Sequence, residues 1–304
     1  MSNRSVSAEL ATEARAAREQ ALQRRASCEG AGRVKGPPVA MTVAGSDSGG
    51  GAGIQADLTT MAALGVHGTS VLTVVTAQNT VGVQALHPLP EHVVEDQLAS
   101  LLADLPPGAV KCGLLGTPGL VGTVADAVAR GALPRPVVDP VLVATSGDRL
   151  TSGDTGRVVS AYVETLLPRS ALVTPNTDEA AVLLGGGAVD SLEDRRSAAK
   201  ALLALGPDAV VVTGGDPQGD CVDVYADADG LEEWAEPAVP TENDHGTGCT
   251  FSAAVAAYLA HGHDLRSSAR RARAFVRERL EAGRTWDLGA GHGPVAHTYA
   301  ARRI

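Results

Sequence analysis

The sequence predicts an α/β protein in which a doubly wound, mostly parallel sheet is flanked by helices. From residue 39 onward, short apolar runs alternate with longer amphipathic runs. Aromatic residues make up only 3% of the 304 residues, and a core of small aliphatic side chains suits helices that pack closely on a parallel sheet. No internal repeat interrupts this pattern, so we expect a single domain.

The β–α units follow one another along the chain. The run 39–45 is apolar and ends in glycine, and 70–78 is rich in β-branched residues, so both are predicted strands. Between them, 53–65 has apolar residues at helical spacing. The same reasoning predicts strands at 109–113, 136–139, 171–174 and 209–213, and helices at 91–104, 118–130, 153–167, 177–184, 191–205, 246–261 and 264–282. Residues 221–237 read as a β-hairpin with an Asp-Gly turn.

The segment 1–37 differs from the rest in composition. It is rich in Ala, Arg and Glu and has almost no large apolar side chain. Such a segment has little to bury, so it is predicted to be a solvated helical or disordered extension. The folded domain is predicted to span 38–304.

Charge and cysteine content narrow the class of protein. The net charge of −10 argues against a nucleic-acid partner. None of the four cysteines lies in a CxxC pair, so neither a zinc site nor a disulfide framework is indicated. No apolar run approaches the ~20 residues of a membrane span, and the first residues lack the apolar centre of a secretory signal. We therefore expect a cytoplasmic protein with reduced thiols and no membrane partner.

Glycine-rich and polar motifs follow the predicted strands. "AGSDSGGGAG" follows the first strand, and "AQN", "DPV", "TPNTDEA" and "TGGD" follow later ones. In open α/β sheets, ligands bind beyond the carboxyl ends of the strands, so these motifs are predicted to surround one site. The first is not a P-loop, because it lacks the Gly-Lys-Ser/Thr end.

The stretch "NDHGTGCTFSAAVAAYLA", residues 243–260, allows two interpretations. It is either a tight glycine turn before a core helix, or an anion hole built from free N–H groups at a helix N-terminus. The other motifs at strand ends favour the anion hole. Asp57, in the first turn of the helix 53–65, is either favoured there by the helix dipole or binds a ligand, and its position alone does not decide between them.

Seven motifs together resemble a known family. "AGSDSGGGAGIQADL", "VVTAQNTVGV", "VKCGLLG", "VVDPVLVATSGDRL", "LLPRSALVTPNTDEAAVL", "GTGCTFSAAVAA" and "GHGPVAH" occur in this order. They resemble the hydroxymethylpyrimidine/phosphomethylpyrimidine kinases of thiamine biosynthesis, within the ribokinase-like superfamily. The resemblance implies a ribokinase-like fold, a homodimer, and ATP-dependent phosphorylation of 4-amino-5-hydroxymethyl-2-methylpyrimidine and then of its monophosphate.

The resemblance also implies roles for the glycine turn. The N–H groups of Gly246, Thr247, Gly248 and Cys249 would hold the transferring phosphoryl group. Cys249 takes the place where many sugar kinases of the superfamily have an aspartate base. A helix N-terminus lowers a thiol pKa, which would make Cys249 a base for the substrate hydroxyl. The alternative is that Cys249 only packs and positions the substrate.

The pyrimidine is expected to lie against Gln78. This glutamine resembles the pyrimidine-binding glutamine of the family, and an amide donates and accepts hydrogen bonds at once, as an aminopyrimidine edge requires. Asp57 would contact the same ring, and Gly45 would let the ring lie close to the backbone.

The resemblance places ATP and Mg²⁺ at the ends of the later strands. Asn176 and Glu179 resemble an Asn-x-x-Glu motif that organises Mg²⁺, and Asp139 would assist from the neighbouring strand. Asn176 also reads as a helix N-cap. Thr213 to Gly215 would border the nucleotide phosphates.

Two departures from the family pattern concern phosphate binding. Thr145 stands where the family usually has a lysine, and Thr213 to Asp216 read "TGGD" where it usually has Lys-Gly-Gly-His. Lys111 or an arginine is a candidate to compensate. Three interpretations stay open: a pyrimidine kinase with a modified phosphate site, a kinase of pyridoxal or another heteroaromatic alcohol, or a pyrimidine-binding protein without efficient catalysis. The intact glycine turn and Asn-x-x-Glu favour an active kinase.

Overall fold

Nine strands form one sheet in the computed structural model, which describes residues 36–142, 154–214 and 219–297. Their order across the sheet is β3-β2-β1-β4-β5-β6-β7-β8-β9. The strands are β1 (Val39–Ser46), β2 (His67–Asn79), β3 (Gly82–Pro88), β4 (Ala109–Cys112), β5 (Val137–Val138), β6 (Leu172–Val173), β7 (Ala209–Val212), β8 (Asp220–Asp227) and β9 (Gly230–Pro237).

Helices connect the parallel strands and cover both faces of the sheet. They are α1 (Gly53–Ala63), α2 (Glu91–Asp104), α3 (Pro118–Ala129), α4 (Thr155–Ala161), α5 (Thr177–Leu183), α6 (Leu192–Leu203), α7 (Thr247–Ala260) and α8 (Leu265–Gly283). Helix α4 continues as a π turn and then a 3₁₀ turn that contains Pro168, which lacks the N–H that a longer α-helix would need there. No helix among the described residues is long and apolar enough to cross a membrane.

The parallel part of the sheet confirms the predicted fold class. Strands β2, β1, β4, β5, β6 and β7 pair in parallel. The chain winds from β1 outward to β2 and then returns past β1 to β4, so the order reverses between β1 and β4. Crevices at such reversals are where open α/β sheets bind ligands.

Antiparallel strands close both edges of the sheet. The hairpin β8–β9 agrees with the prediction for 221–237 and adds to β7. Strand β3, which pairs antiparallel with β2, was not predicted. The turn between them consists of Thr80 and Val81 and carries none of the Asn-Gly or Asp-Gly pairs that mark tight hairpins.

The core lies in two layers, one on each face of the sheet. Ala40 and Met41, consecutive in β1, belong to opposite layers, because successive side chains of a strand point to opposite faces. Helix α7 lies in the second layer and is buried from Thr250 to Ala257. Its alanine-rich sequence lets it approach the sheet closely, which brings its N-terminus to the carboxyl ends of the strands.

Some of the sequence predictions fall outside the described residues. These are nearly all of the extension 1–37, together with Thr145, Gly215 and Asp216.

Candidate active site

A cavity of about 740 Å³ opens at the carboxyl ends of the parallel strands. Most of the residues predicted to form the site meet there, although they come from distant parts of the chain. Those that line it are Gly45, Gln78, Asp139, Asn176, Glu179, Thr213, Gly246, Thr247, Gly248 and Cys249. The clustering of motifs at strand ends thus predicted the location of the cavity correctly.

The glycine turn at the start of α7 presents free N–H groups. Gly246 is the N-cap residue and has a φ of 87°, a left-handed conformation that favours glycine. A Cβ on Gly246 would also collide with the carbonyl oxygen of Gly51. The N–H of Thr247 donates to the Asp244 carbonyl at 3.1 Å.

One of the four amides predicted to hold the phosphoryl group is therefore already engaged. Within the described ranges, the N–H groups of Gly246, Gly248 and Cys249 have no hydrogen-bond acceptor. Three such donors at the positive end of a helix dipole are suited to an anion.

The thiol of Cys249 does not have the lowered pKa that its position at a helix N-terminus suggested. Burial raises the pKa of this thiol to about 12; Lys111 opposes the shift, and the carboxylates of Asp139 and Asp57 add to it. The thiol also donates a hydrogen bond to Asp139. Cys249 is therefore a protonated thiol at neutral pH, because desolvation and two neighbouring acids outweigh the helix terminus.

Asp57 is not positioned to contact a ligand, which corrects the sequence prediction. Its side chain is fully buried, and both carboxylate oxygens lie 2.9 Å from Lys111 Nζ. The Thr42 hydroxyl donates to Asp57 Oδ2 at 2.5 Å. The Asp57 carboxylate is therefore engaged in an internal ion pair. Lys111, and not Asp57, borders the cavity.

Gln78 lines the cavity and follows an irregularity in β2. The register between β2 and β3 shifts between Ala77 and Gln78, and such a bulge redirects the side chain that follows it. The backbone of Gln78 is held on both sides by Ser48, whose hydroxyl accepts from Gln78 N–H at 2.8 Å and donates to Gln78 C=O at 2.7 Å. Gly45 is buried, and a Cβ there would lie 3.0 Å from Leu114 and 3.4 Å from the Val74 carbonyl oxygen.

Asp47 and His245 belong to the site, and the sequence reasoning assigned neither a role. His245 Nε2 lies 3.0 Å from Asp47 Oδ2 and 3.3 Å from Gln78 Nε2. The Asp47 carboxylate also accepts N–H groups from Gly49, Gly51 and Ala52 at 2.8–3.0 Å.

Burial acts to raise the pKa of Asp47, but the hydrogen bonds from His245, Ala52 and Gly49 outweigh it, so the pKa falls below its usual value. Asp47 is therefore an ionised anchor for the loop that precedes α1. The available signals were an aspartate followed by glycines in "SDSGGGAG" and a histidine directly before "GTGC".

Asn176 caps α5, as one interpretation of the sequence allowed. Its Oδ1 accepts the Glu179 N–H at 2.8 Å, and Glu179 Oε2 accepts the Asn176 N–H at 3.0 Å. This reciprocal pair is a capping box. The Asn-x-x-Glu motif is thus explained in part by capping of the helix N-terminus, and the Glu179 carboxylate also accepts a hydrogen bond from the Leu142 N–H.

Glu179 and Asp139 are buried acids at the same wall of the cavity, 6% and 4% exposed. Burial and the repulsion of Asp139 raise the pKa of Glu179 to about 8. Burial also raises the pKa of Asp139, against the attraction of Lys111. Two buried carboxylates that repel each other fit a hard divalent cation such as Mg²⁺, which would stabilise both charges.

The donor set does not form a full cage for a metal. Among the described residues, no group of three or more His, Cys, Asp or Glu side chains is arranged to hold a metal ion. Mg²⁺ commonly takes one or two carboxylates and completes its shell with water and phosphate oxygens, so a pair is sufficient.

The wall beyond Thr213 carries arginines that are already paired. Thr213 N–H donates to the Pro175 carbonyl at 2.9 Å, next to Asn176. Arg273 binds Asp223 at 2.7 Å and Glu236 at 3.0 Å. Arg277 lies within ion-pair distance of Glu236 and Glu281. Neither arginine therefore brings an uncompensated charge to the cavity in place of the lysine that the family has at position 213.

Comparison with known proteins identifies the family. The phosphomethylpyrimidine kinase family model matches residues 47–296, which include every element from the loop after β1 to the C-terminal segment. The chain belongs to the phosphomethylpyrimidine kinase family. It is therefore a kinase, and the predicted phosphotransferase activity and ribokinase-like fold are confirmed.

Relatives of this kinase include whole proteins and parts of larger ones. It is 46% identical over 265 residues to a hydroxymethylpyrimidine/phosphomethylpyrimidine kinase of Streptomyces coelicolor, covering 87% of this chain and 96% of the relative. It is 42% identical over 273 residues to a thiamine biosynthetic bifunctional enzyme of Arabidopsis thaliana, covering 89% of this chain and 52% of that one.

Among solved structures, the ADP complex of Bacillus subtilis pyridoxal kinase resembles the kinase with a TM-score of 0.79. The two share 33% sequence identity over 86% of this chain and 97% of the other.

Proposed function

We propose that the kinase transfers the γ-phosphoryl group of ATP to the hydroxymethyl group of 4-amino-5-hydroxymethyl-2-methylpyrimidine, and then phosphorylates the monophosphate. The observation that carries this proposal is the pairing of two features in one cavity. Three free N–H groups at the N-terminus of α7 suit a phosphoryl group, and Gln78 offers an amide to a nitrogen heterocycle. The names of the relatives support the same substrate class.

The transferring phosphoryl group is proposed to lie on the turn that begins α7. The N–H groups of Gly246, Gly248 and Cys249 would donate to its equatorial oxygens, where negative charge is spread in the transition state. Because these residues line the cavity and Gly246 already has the left-handed conformation that the turn requires, little reorganisation would be needed as charge develops.

Cys249 is proposed to act as a neutral contact rather than as a thiolate base. Its thiol is protonated at neutral pH and donates to Asp139. A loose phosphoryl-transfer transition state demands little help from a base, so positioning of the substrate hydroxyl is the greater contribution. Of the two roles left open for Cys249, the positioning role has the stronger support.

Glu179 and Asp139 would hold Mg²⁺, and Thr213 and Asn176 would border the nucleotide. Mg²⁺ would supply neutralisation of the charge on the ATP phosphates. The two carboxylates gain from it as well, since each raises the cost of ionising the other. The predicted homodimer and cytoplasmic location stay proposals, and light scattering on the purified chain tests the former.

Measurement of ADP release from Mg²⁺-ATP tests the function, with hydroxymethylpyrimidine, its monophosphate and pyridoxal assayed in parallel. Turnover of the pyrimidine and its monophosphate is expected. Turnover of pyridoxal alone would assign the kinase to the substrate of its structural neighbour. Tight binding of the pyrimidine without turnover would identify a site that no longer catalyses.

A further inference from the structure

Lys111 is a buried cation at the floor of the cavity. Among the described residues it is the only lysine or arginine that is fully buried. It comes from β4, next to the point where the strand order reverses, and its side chain borders the cavity. Placing an ammonium group in such a position is costly unless its charge is paired.

The ammonium group is fixed rather than free to move. It lies 2.9 Å from both oxygens of Asp57, and Thr42 holds one of those oxygens from the other side. Gly113 borders it, and a Cβ at that position would lie 2.7 Å from Nζ. The charge therefore has one position relative to the floor of the cavity.

At the turn that begins α7, the positive charge of Lys111 has a larger effect than the negative charge of Asp57. Lys111 acts to lower the pKa of Cys249, and its effect is larger than the opposite effect of Asp57. The same order holds for the pKa of Asp139. The Lys111 side chain borders the cavity and Asp57 does not line it, in agreement with the larger effect of the lysine at Cys249 and Asp139.

Among the residues that the structure describes, the other arginines or lysines that line the cavity are Arg273 and Arg277. Position 213 carries threonine where the family usually has lysine, and Arg273 and Arg277 are paired with acids. A kinase must nevertheless stabilise the negative charge of the transferring group in the transition state.

We propose that Lys111, held in place by Asp57, supplies the fixed positive charge beneath the phosphoryl-transfer turn and so acts as a positioning residue for transfer. This inference rests on the proposed function, and it deepens it by naming a source of positive charge for the transferring phosphoryl group. A preorganised charge stabilises the transition state because it does not have to reorient during the reaction.

The test compares variants that alter this charge in different ways. Lys111→Met alone leaves Asp57 unpaired and endangers folding. The double variant Lys111→Met/Asp57→Asn removes both charges and keeps an acceptor for Thr42. We expect it to keep a pyrimidine KM within about threefold of the wild type while kcat falls about 100-fold. A kcat within about threefold of the wild type would overturn the proposal.

A control and a second variant separate charge from folding. Arg135→Met/Asp208→Asn removes an exposed ion pair whose atoms lie 2.8 Å apart. Like the test variant, it loses one positive and one negative charge, and it should leave kcat unchanged. Gly113→Ala keeps both charges and displaces the ammonium group, so it should lower kcat about tenfold with little change in KM. If the double variant does not fold, an unchanged kcat in Gly113→Ala rejects the role.

Binding of inorganic phosphate, measured by calorimetry without ATP, distinguishes this inference from the proposed function. We expect the double variant to bind phosphate at least about tenfold more weakly than the wild type, whatever alcohol is phosphorylated. If the wild type phosphorylates none of the three alcohols, the proposed function is wrong, but the inference about Lys111 is not affected. Equal phosphate affinity in the double variant and the wild type defeats the role of Lys111.

Discussion

His245 Nε2 lies 3.0 Å from Asp47 Oδ2, so one contact joins the turn that begins α7 to the glycine-rich loop that follows β1. The same nitrogen lies 3.3 Å from the amide of Gln78. Because this nitrogen donates to the Asp47 carboxylate, it does not also accept from the Gln78 amide. The turn that begins α7 and the proposed pyrimidine contact nevertheless meet at a single imidazole, although they lie far apart along the chain.

Replacing His245 should therefore impair both halves of the site. We expect His245→Leu to raise the pyrimidine KM and lower kcat together, with a loss of about 2 kcal/mol in unfolding free energy, because Asp47 loses a charged hydrogen bond. Steady-state kinetics and urea denaturation measure the two effects. His67→Leu, on an exposed position at the start of β2, is the control and should change neither. Normal kinetics in His245→Leu would show that the link is dispensable.

Gly246→Ala should lower the stability by more than the backbone strain of the substitution accounts for. The substitution forces a side chain into the left-handed region, which costs about 1–2 kcal/mol, and it also pushes against the Gly51 carbonyl. We expect a marked loss of both Tm and kcat. Gly262→Ala is the matched control, since Gly262 has a φ of 90° and a Cβ there would meet no atom within 4 Å. That control should lose stability only, and equal losses in the two variants would remove the steric argument.

The protonated thiol of Cys249 makes a prediction about the pH profile. Because burial raises its pKa to about 12, kcat at saturating Mg²⁺ should show no limb from thiolate formation between pH 6 and 9. Cys249→Ala should be slower by about tenfold at every pH in that range, with an unchanged profile shape. Loss of an ionisation near neutral pH in Cys249→Ala would instead support a thiolate base.

Glu179 links metal binding to pH. Its folded-state pKa of about 8 is raised above the usual value, so the folded state binds the proton more tightly than the unfolded chain. Without metal, this group favours folding below about pH 4.5 and that contribution is lost as the pH rises towards 8. Mg²⁺ should therefore raise Tm more at pH 8 than at pH 6.

Glu179→Gln is the variant that checks this behaviour, and thermal melts with and without Mg²⁺ are the measurement. The substitution keeps an acceptor for the Asn176 N–H, so the capping box should survive in part. We expect the pH-dependent part of the Mg²⁺ effect to shrink. Identical Mg²⁺ shifts in the variant and the wild type would show that the metal does not contact Glu179.

The sequence predicted the parallel sheet and the position of the cavity well, because both follow from local patterns. β-Branched runs mark strands, and the polar motifs after them mark the carboxyl edge. Strand β3 was not predicted, because the turn before it has no Asn-Gly or Asp-Gly pair. The roles of Asp57 and Cys249 were harder to predict, since each depends on a partner that is distant along the chain. Lys111 forms an ion pair with Asp57, and Asp139 helps to keep the Cys249 thiol protonated.

The contact between Asp47 and His245 joins residues 198 positions apart along the chain. Such a long loop closes late, because its entropy must be lost before the contact is gained. The binding site is therefore complete only when the start of α7 has docked against the loop that follows β1. Phosphate and pyrimidine would bind only the completed fold, so either ligand should act as a stabiliser of the native state and protect the chain from proteolysis.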